Sequence, residues 1–284
     1  MEGTKSMKQI MKLVKLEYLN WLCNARNIIL LVFVFYVRET VALPMIYAAK
    51  EQKTVLNCYE SSIAVANSGV SVLLISVLFI TLISDIPRIE NDFYNIVCRI
   101  GMRKWCKAQM IFSYLIVLTV IGFVIFSIWV QTVSICYVED AWSLVVTESE
   151  KGSVINNLIP LNLYNQMPPL QAFIYTYVLL FLYFLLTLNV VFVGTLYGKK
   201  SITTMGLIIL LGVGVALAAA RVSAMWLFPV SHSILLLHCD KYYRAQIFPI
   251  WLSVMLLVLV NVFLTILAYK KMLKVNCSEL KEAK

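Results

Sequence analysis

Six runs of apolar residues, each long enough to cross a hydrocarbon core, constrain this chain more than any other feature. They cover about residues 27–47, 64–83, 110–136, 170–197, 202–220 and 248–269. A bilayer core needs about 20 apolar residues in a helix, and a helix pairs its own backbone N–H and C=O groups where no water can. Only 14% of the 284 residues are charged and the mean hydropathy is +0.84, whereas a soluble domain is about a quarter charged. The fold class is therefore an all-α integral membrane protein, and a soluble domain is excluded. Trp21, Trp129, Trp226, Trp251, Tyr197 and Tyr269 fall near predicted span ends, where amphipathic rings are favoured. No internal repeat is visible, so residues 1–284 read as one transmembrane domain.

Residues 1–26 precede the first span. Lys5, Lys8, Lys12, Lys15 and Arg26 are interleaved with Ile10, Leu13, Val14 and Leu16 at spacings of three and four. That pattern predicts an amphipathic helix lying flat in the membrane interface. It lacks the small-residue cleavage site of a secretory signal.

Lys and Arg set the orientation. The N-terminal segment holds five, residues 84–109 hold five, the Gly198–Ser201 link two and the tail after Tyr269 five, which is seventeen of the 24. The intervening connections hold Arg38, Lys50, Lys53, Lys151, Arg221, Lys241 and Arg244. This alternation predicts that both termini are cytoplasmic. The net charge of +9 is then a topology signal, and with no concentrated basic patch a nucleic-acid partner is not expected. Of the seven cysteines, Cys58, Cys136 and Cys239 fall on the outer side, too few and too irregular for a disulfide framework. Residues 222–247 are moderately apolar but too short to span twice. They read as a re-entrant hairpin between the last two spans, allowed where protein or water satisfies its backbone.

The chemistry-bearing motifs are few. Gly194-Thr-Leu-Tyr-Gly198-Lys199-Lys200-Ser201 has three residues between its glycines where a phosphate loop has four, and it follows a membrane helix rather than a strand. No bound cofactor is expected. His232 and His238 stand six apart, off the spacing of three or four that a helical zinc pair uses, and read as interfacial polar residues rather than metal ligands. Arg38 and Glu39 fall inside the first span. Either the span is shifted and Arg38 snorkels to the outer surface, or the two line a translocation path, since a centrally placed Arg costs roughly 2.5–3.5 kcal/mol on insertion scales. Gly206, Gly212 and Gly214 give the fifth span small residues suited to close helix packing, possible as a dimer face.

Residues 84–109 are the long polar passage between two spans. Ser84 or Asp85 reads as a helix cap with Pro87 in the first turn, and Ile89, Phe93, Ile96, Val97 and Ile100 recur on one face. Gly101 ends the helix, and Arg103, Lys104, Trp105 and Lys107 lead into the third span. A docking helix needs such an apolar face; a solvated loop does not.

This passage has the form D-x-P-R-x-E-N-x-x-x-N-x-x-x-R-x-G-x-R-K-W-x-K. With the basic N-terminal helix and six spans it resembles the type-2 permease subunits of ATP-binding-cassette exporters. The resemblance implies that residues 84–109 form a coupling helix docking on a separately encoded ATPase dimer through Asp85, Arg88, Glu90, Asn91, Arg99, Gly101, Arg103 and Lys104. It further implies a second permease chain, identical or sister, with ATP and Mg held by the ATPase, and residence in a bacterial plasma membrane. The cargo implied is an amphipathic (antimicrobial) peptide or a lipid-like molecule, and this chain would not itself be an enzyme. The competing readings are a non-transporting membrane sensor, scaffold or immunity subunit, and less so an intramembrane enzyme.

Overall fold

The computed structural model describes residues 2–87, 93–150, 152–239 and 246–274. Helix α1 (Glu2–Leu22) leads into α2 (Ala25–Glu51), which contains a π-turn at Arg38–Ala42. A two-residue strand β1 (Leu56–Asn57) precedes α3 (Cys58–Asn67) and α4 (Gly69–Ile83). The short α5 (Phe93–Ile100) is followed by the long α6 (Met102–Thr132), and β2 (Cys136–Tyr137) pairs in parallel with β1. Three short helices follow, α7 (Leu144–Thr147), α8 (Val154–Leu158) and α9 (Leu161–Tyr164), then α10 (Pro169–Leu196) and α11 (Lys200–Ala220). After α12 (Pro229–Ser233) and a 3-10 turn at Leu235–His238, α13 (Ile250–Lys274) ends the described chain. Five of these helices are long and apolar enough to cross a membrane, or six if α3 and α4 count as one broken span. The protein is an all-α, multi-pass membrane protein.

Helix α10 is the central pillar, with 67% of its apolar window buried against the other helices, while α11 and α13 leave most of theirs outward. Phe184 of α10 stacks on Phe79 of α4 at 4.6 Å between ring centroids. Asn189 Nδ2 donates to Asn261 Oδ1 at 2.9 Å, and Asn261 Nδ2 in turn donates to the Leu182 and Leu257 carbonyls. An amide left unpaired in hydrocarbon is costly, so this chain of bonds fixes the register of α13 on α10.

The structure bears on four expectations. The second span does not run as one helix over 64–83: α3 and α4 meet at a 76° bend. Asn67 closes the break, accepting from the Leu236 N–H (3.0 Å) and donating to the Ile63 carbonyl (3.0 Å). The helix that carries the third span begins at Met102, ahead of the apolar run from 110, because Trp105, Cys106, Ala108 and Gln109 are buried in the bundle and continue it. Helix α1, expected in the interface, packs on the spans. It buries Ile10, Leu13, Val14 and Trp21, and Tyr18 Oη meets Thr119 Oγ1 of α6 at 2.8 Å. Gly214 is no open dimer face, since a Cβ there would lie 2.6 Å from Val230 Cγ1 and 3.0 Å from Phe228 Cβ of the same chain. Gly206 and Gly212 have nothing within 4 Å of that position.

The segment after α11 folds into the bundle as a series of short turns. Met225, Val230, Ile234, Leu235 and Cys239 are buried in it. Among the described residues, Ser231 donates to Phe228 and Leu237 to Ile234, while Leu236 donates to Asn67, pairing of the kind that backbone at membrane depth requires.

Candidate functional site: the charged end of the bundle

Three segments distant in sequence converge at one end of the bundle. Arg26 follows α1, Asp85 follows α4, and Lys200 opens α11. Asp85 pairs with the Arg26 guanidinium through one oxygen and with Lys200 Nζ, at 2.9 Å, through the other. Arg26 also donates to Ser84 Oγ at 3.1 Å, and the Ser84 hydroxyl donates to the Thr81 carbonyl. Burial alone would raise the Asp85 carboxyl; the Lys200 ammonium and the Arg26 guanidinium outweigh it and hold the group below its ordinary range. The Ser84 and Asp85 side chains are thus engaged within the chain. The described part of α5 begins at Phe93, and the expected helix start after Pro87 lies outside the described residues.

Helix α5 lays Ile96, Val97 and Ile100 against the core and turns Asn95, Cys98 and Arg99 to the exterior. Gly101 joins it to α6 at φ +89°, a conformation an L side chain rarely adopts. Beyond the joint Arg103 is exposed, and Lys104 Nζ donates to Gln9 Oε1 of α1 at 2.9 Å. At the same end, Lys271 of α13 stands over the Tyr197 ring, 4.8 Å from its centroid. The starts of α2, α6 and α11, the ends of α4 and α13, and α1 therefore share a rim of polar links, with Arg99 and Arg103 facing outward beside it.

Of the residues expected to meet a partner, Arg99 and Arg103 are exposed, Asp85 is engaged with α2 and α11 and Lys104 with α1, and Gly101 is the hinge between α5 and α6. Arg88, Glu90 and Asn91 lie outside the described residues. Arg38 and Glu39 are not part of this rim. They sit in the π-turn midway along α2, exposed, and have no ion pair among the described residues.

The other end of the molecule carries polar clusters that sequence reasoning missed. His232 and His238, expected at an interface, are buried at 2% and 0% exposure, and Ser253 Oγ of α13 lies 2.8 Å from a ring nitrogen of each. The remaining nitrogens face carbonyls, His232 Nε2 to Trp226 and His238 Nδ1 to Ile234, so those two nitrogens donate. Glu60, at 0% exposure, accepts from the Ser143 N–H and hydroxyl and from the Asn57 N–H. It anchors the loop after β2 to α3. Among the described residues no group of His, Cys, Asp or Glu has the arrangement of a metal site.

Compared with known protein families, with characterised proteins and with solved structures, the chain matches none.

Proposed function

We propose that this chain is the membrane-spanning permease subunit of an ATP-binding-cassette exporter, paired with a second permease chain and seated on a separate ATPase dimer in a bacterial plasma membrane. The observation that carries the proposal is α5: a short amphipathic helix, exposed through Arg99, hinged at Gly101 to a 31-residue helix that reaches through the bundle. A load applied to α5 passes through one positive-φ joint into α6. Through the Asp85 ion cluster the same loop is tied to the starts of α2 and α11. Both termini and this rim are cytoplasmic in this reading, because seventeen of 24 Lys and Arg belong to segments on that side.

ATP closure of the partner dimer moves the two α5 helices together and the spans rearrange around a path for an amphipathic cargo. The hydrolytic chemistry belongs to the partner; this chain supplies path and lever. The test is charge reversal at the exposed rim. Arg99→Glu and Arg103→Glu are expected to reduce permease-stimulated ATPase activity of the complex by tenfold or more while the chain still inserts. Wild-type stimulation in both variants would reject the proposal, and activity of this chain alone without ATP would indicate a membrane enzyme instead.

A further inference from the structure

A cavity of about 400 Å³ opens at the end of the molecule away from Asp85. Helices α4 and α11 run antiparallel, so the bend that starts α4 lies beside the end of α11, and α8 and the Leu235–His238 turn close the remaining sides. Val215, Ile234, Leu236 and Leu158 are among its apolar walls, and Asn157 and Arg221 add polar groups. Among the described residues no Asp or Glu lines it. The volume falls in the lower part of the range of small-molecule sites, roughly 300–1,000 Å³.

Arg221 is the residue that decides what the cavity takes. It occupies the position just past α11, in the left-handed region at φ 51°, ψ 38°, and its N–H donates to the Ala218 carbonyl. Glycine is the usual occupant of that position because it alone adopts the conformation without cost. An arginine there strains the backbone, and strain of this kind points to a use for the side chain. The side chain is exposed and makes no ion pair among the described residues.

We infer that this cavity binds a single-chain anionic amphiphile, its acyl chain among Val215, Ile234, Leu236 and Leu158 and its carboxylate or phosphate on Arg221. Among the described lining residues, one cation beside apolar walls with no acidic group complements an anion and offers a cationic peptide no counter-charge. A bidentate guanidinium bond suits either anionic head. The inference deepens the exporter proposal by naming a cargo class, yet binding requires neither ATP nor a partner and is measured without them.

The experiment uses the full chain in phosphatidylcholine nanodiscs, labelled with a tritiated diazirine analogue of dodecanoate and mapped by peptide. Labelling is expected in residues 152–158 and 234–239. Dodecanoate should compete at least tenfold better than dodecyltrimethylammonium, and phosphatidylglycerol added to the disc should compete weakly. Arg221→Gly and Arg221→Gln should each lose tenfold or more in competition affinity. Arg221→Gly should at the same time melt no lower than the wild type, which separates a binding role from a capping one. Equal labelling of wild type and both variants, or equal competition by the cationic amphiphile, overturns the inference. Competition by phosphatidylglycerol matching dodecanoate also overturns it, since the occupant would then be a bilayer lipid. None of these outcomes bears on the ATPase test of the exporter proposal.

Discussion

Asp85 Oδ1 accepts a hydrogen bond from Lys200 Nζ at 2.9 Å across 115 residues of chain. With Arg26 on its other oxygen, this carboxylate ties the exit of α1 and the start of α11 to the loop before α5. The three groups are partly exposed, with 37–47% of each side chain accessible, so the cluster positions segments more than it stabilises the fold.

Asp85→Asn is accordingly expected to cost no more than about 1 kcal/mol of stability at neutral pH. Because the folded carboxyl is held below its ordinary value, its contribution is present above about pH 4 and is lost as pH falls through the lowered folded value. Thermal unfolding in nanodiscs from pH 3 to 7 checks this. The gap between wild type and Asp85→Asn should close on acidification; a gap that widens would contradict the assigned sign.

Ser253→Ala should be more damaging than its size suggests. It removes the shared partner of two buried imidazoles, and each stranded buried polar group costs about 1–3 kcal/mol. The His232→Ala/Ser253→Ala double mutant should lose less than the sum of the singles, because both act on one network. Strict additivity in chemical unfolding would count against the network.

The glycines of α11 should separate by neighbour. Gly214→Ala drives a methyl toward Val230 and Phe228, and overpacking of this kind costs about 1–3 kcal/mol. Gly206→Ala meets open space and should be neutral or stabilising by up to about 1 kcal/mol. Equal losses at both positions in thermal unfolding would show a contact on Gly206 made by another chain.

Arg38 lies at residue 38 of a span running from Ala25 to Glu51, close to its middle. The path reading and the shifted-span reading, in which Arg38 reaches an outer surface, predict different outcomes on its removal. Arg38→Leu is expected to impair ATP-dependent transport into sealed vesicles without reducing assembly of the complex. Unchanged transport would remove Arg38 from the path.

What could be read from residues alone follows from the range of the forces involved. The spans are legible because hydropathy sums over a contiguous stretch. The break between α3 and α4 is written locally as Asn67-Ser68-Gly69, a turn cluster inside an apolar run, but it is overshadowed by the hydropathy on either side. Arg26 and Lys200 read only as orientation charges, since nothing local tells that Asp85 joins them. His232, His238 and Ser253 are likewise invisible as a unit, because their meeting depends on how the segment after α11 inserts beside α13. Gly194 carries a similar long-range constraint: a Cβ there would stand 2.2 Å from Thr203 Oγ1, and only the close approach of α10 and α11 makes that position exacting.

The central claim is that α5 hands work from a separate ATPase to this bundle, and isolation of the native complex from its own membrane tests it most directly. The account predicts that a gently solubilised preparation contains a soluble ATPase in stoichiometric amount, which cross-links to cysteine placed at residue 99 and dissociates in the Arg99→Glu variant. A preparation that carries no ATPase, or one whose ATPase contacts avoid residues 93–103, would contradict it.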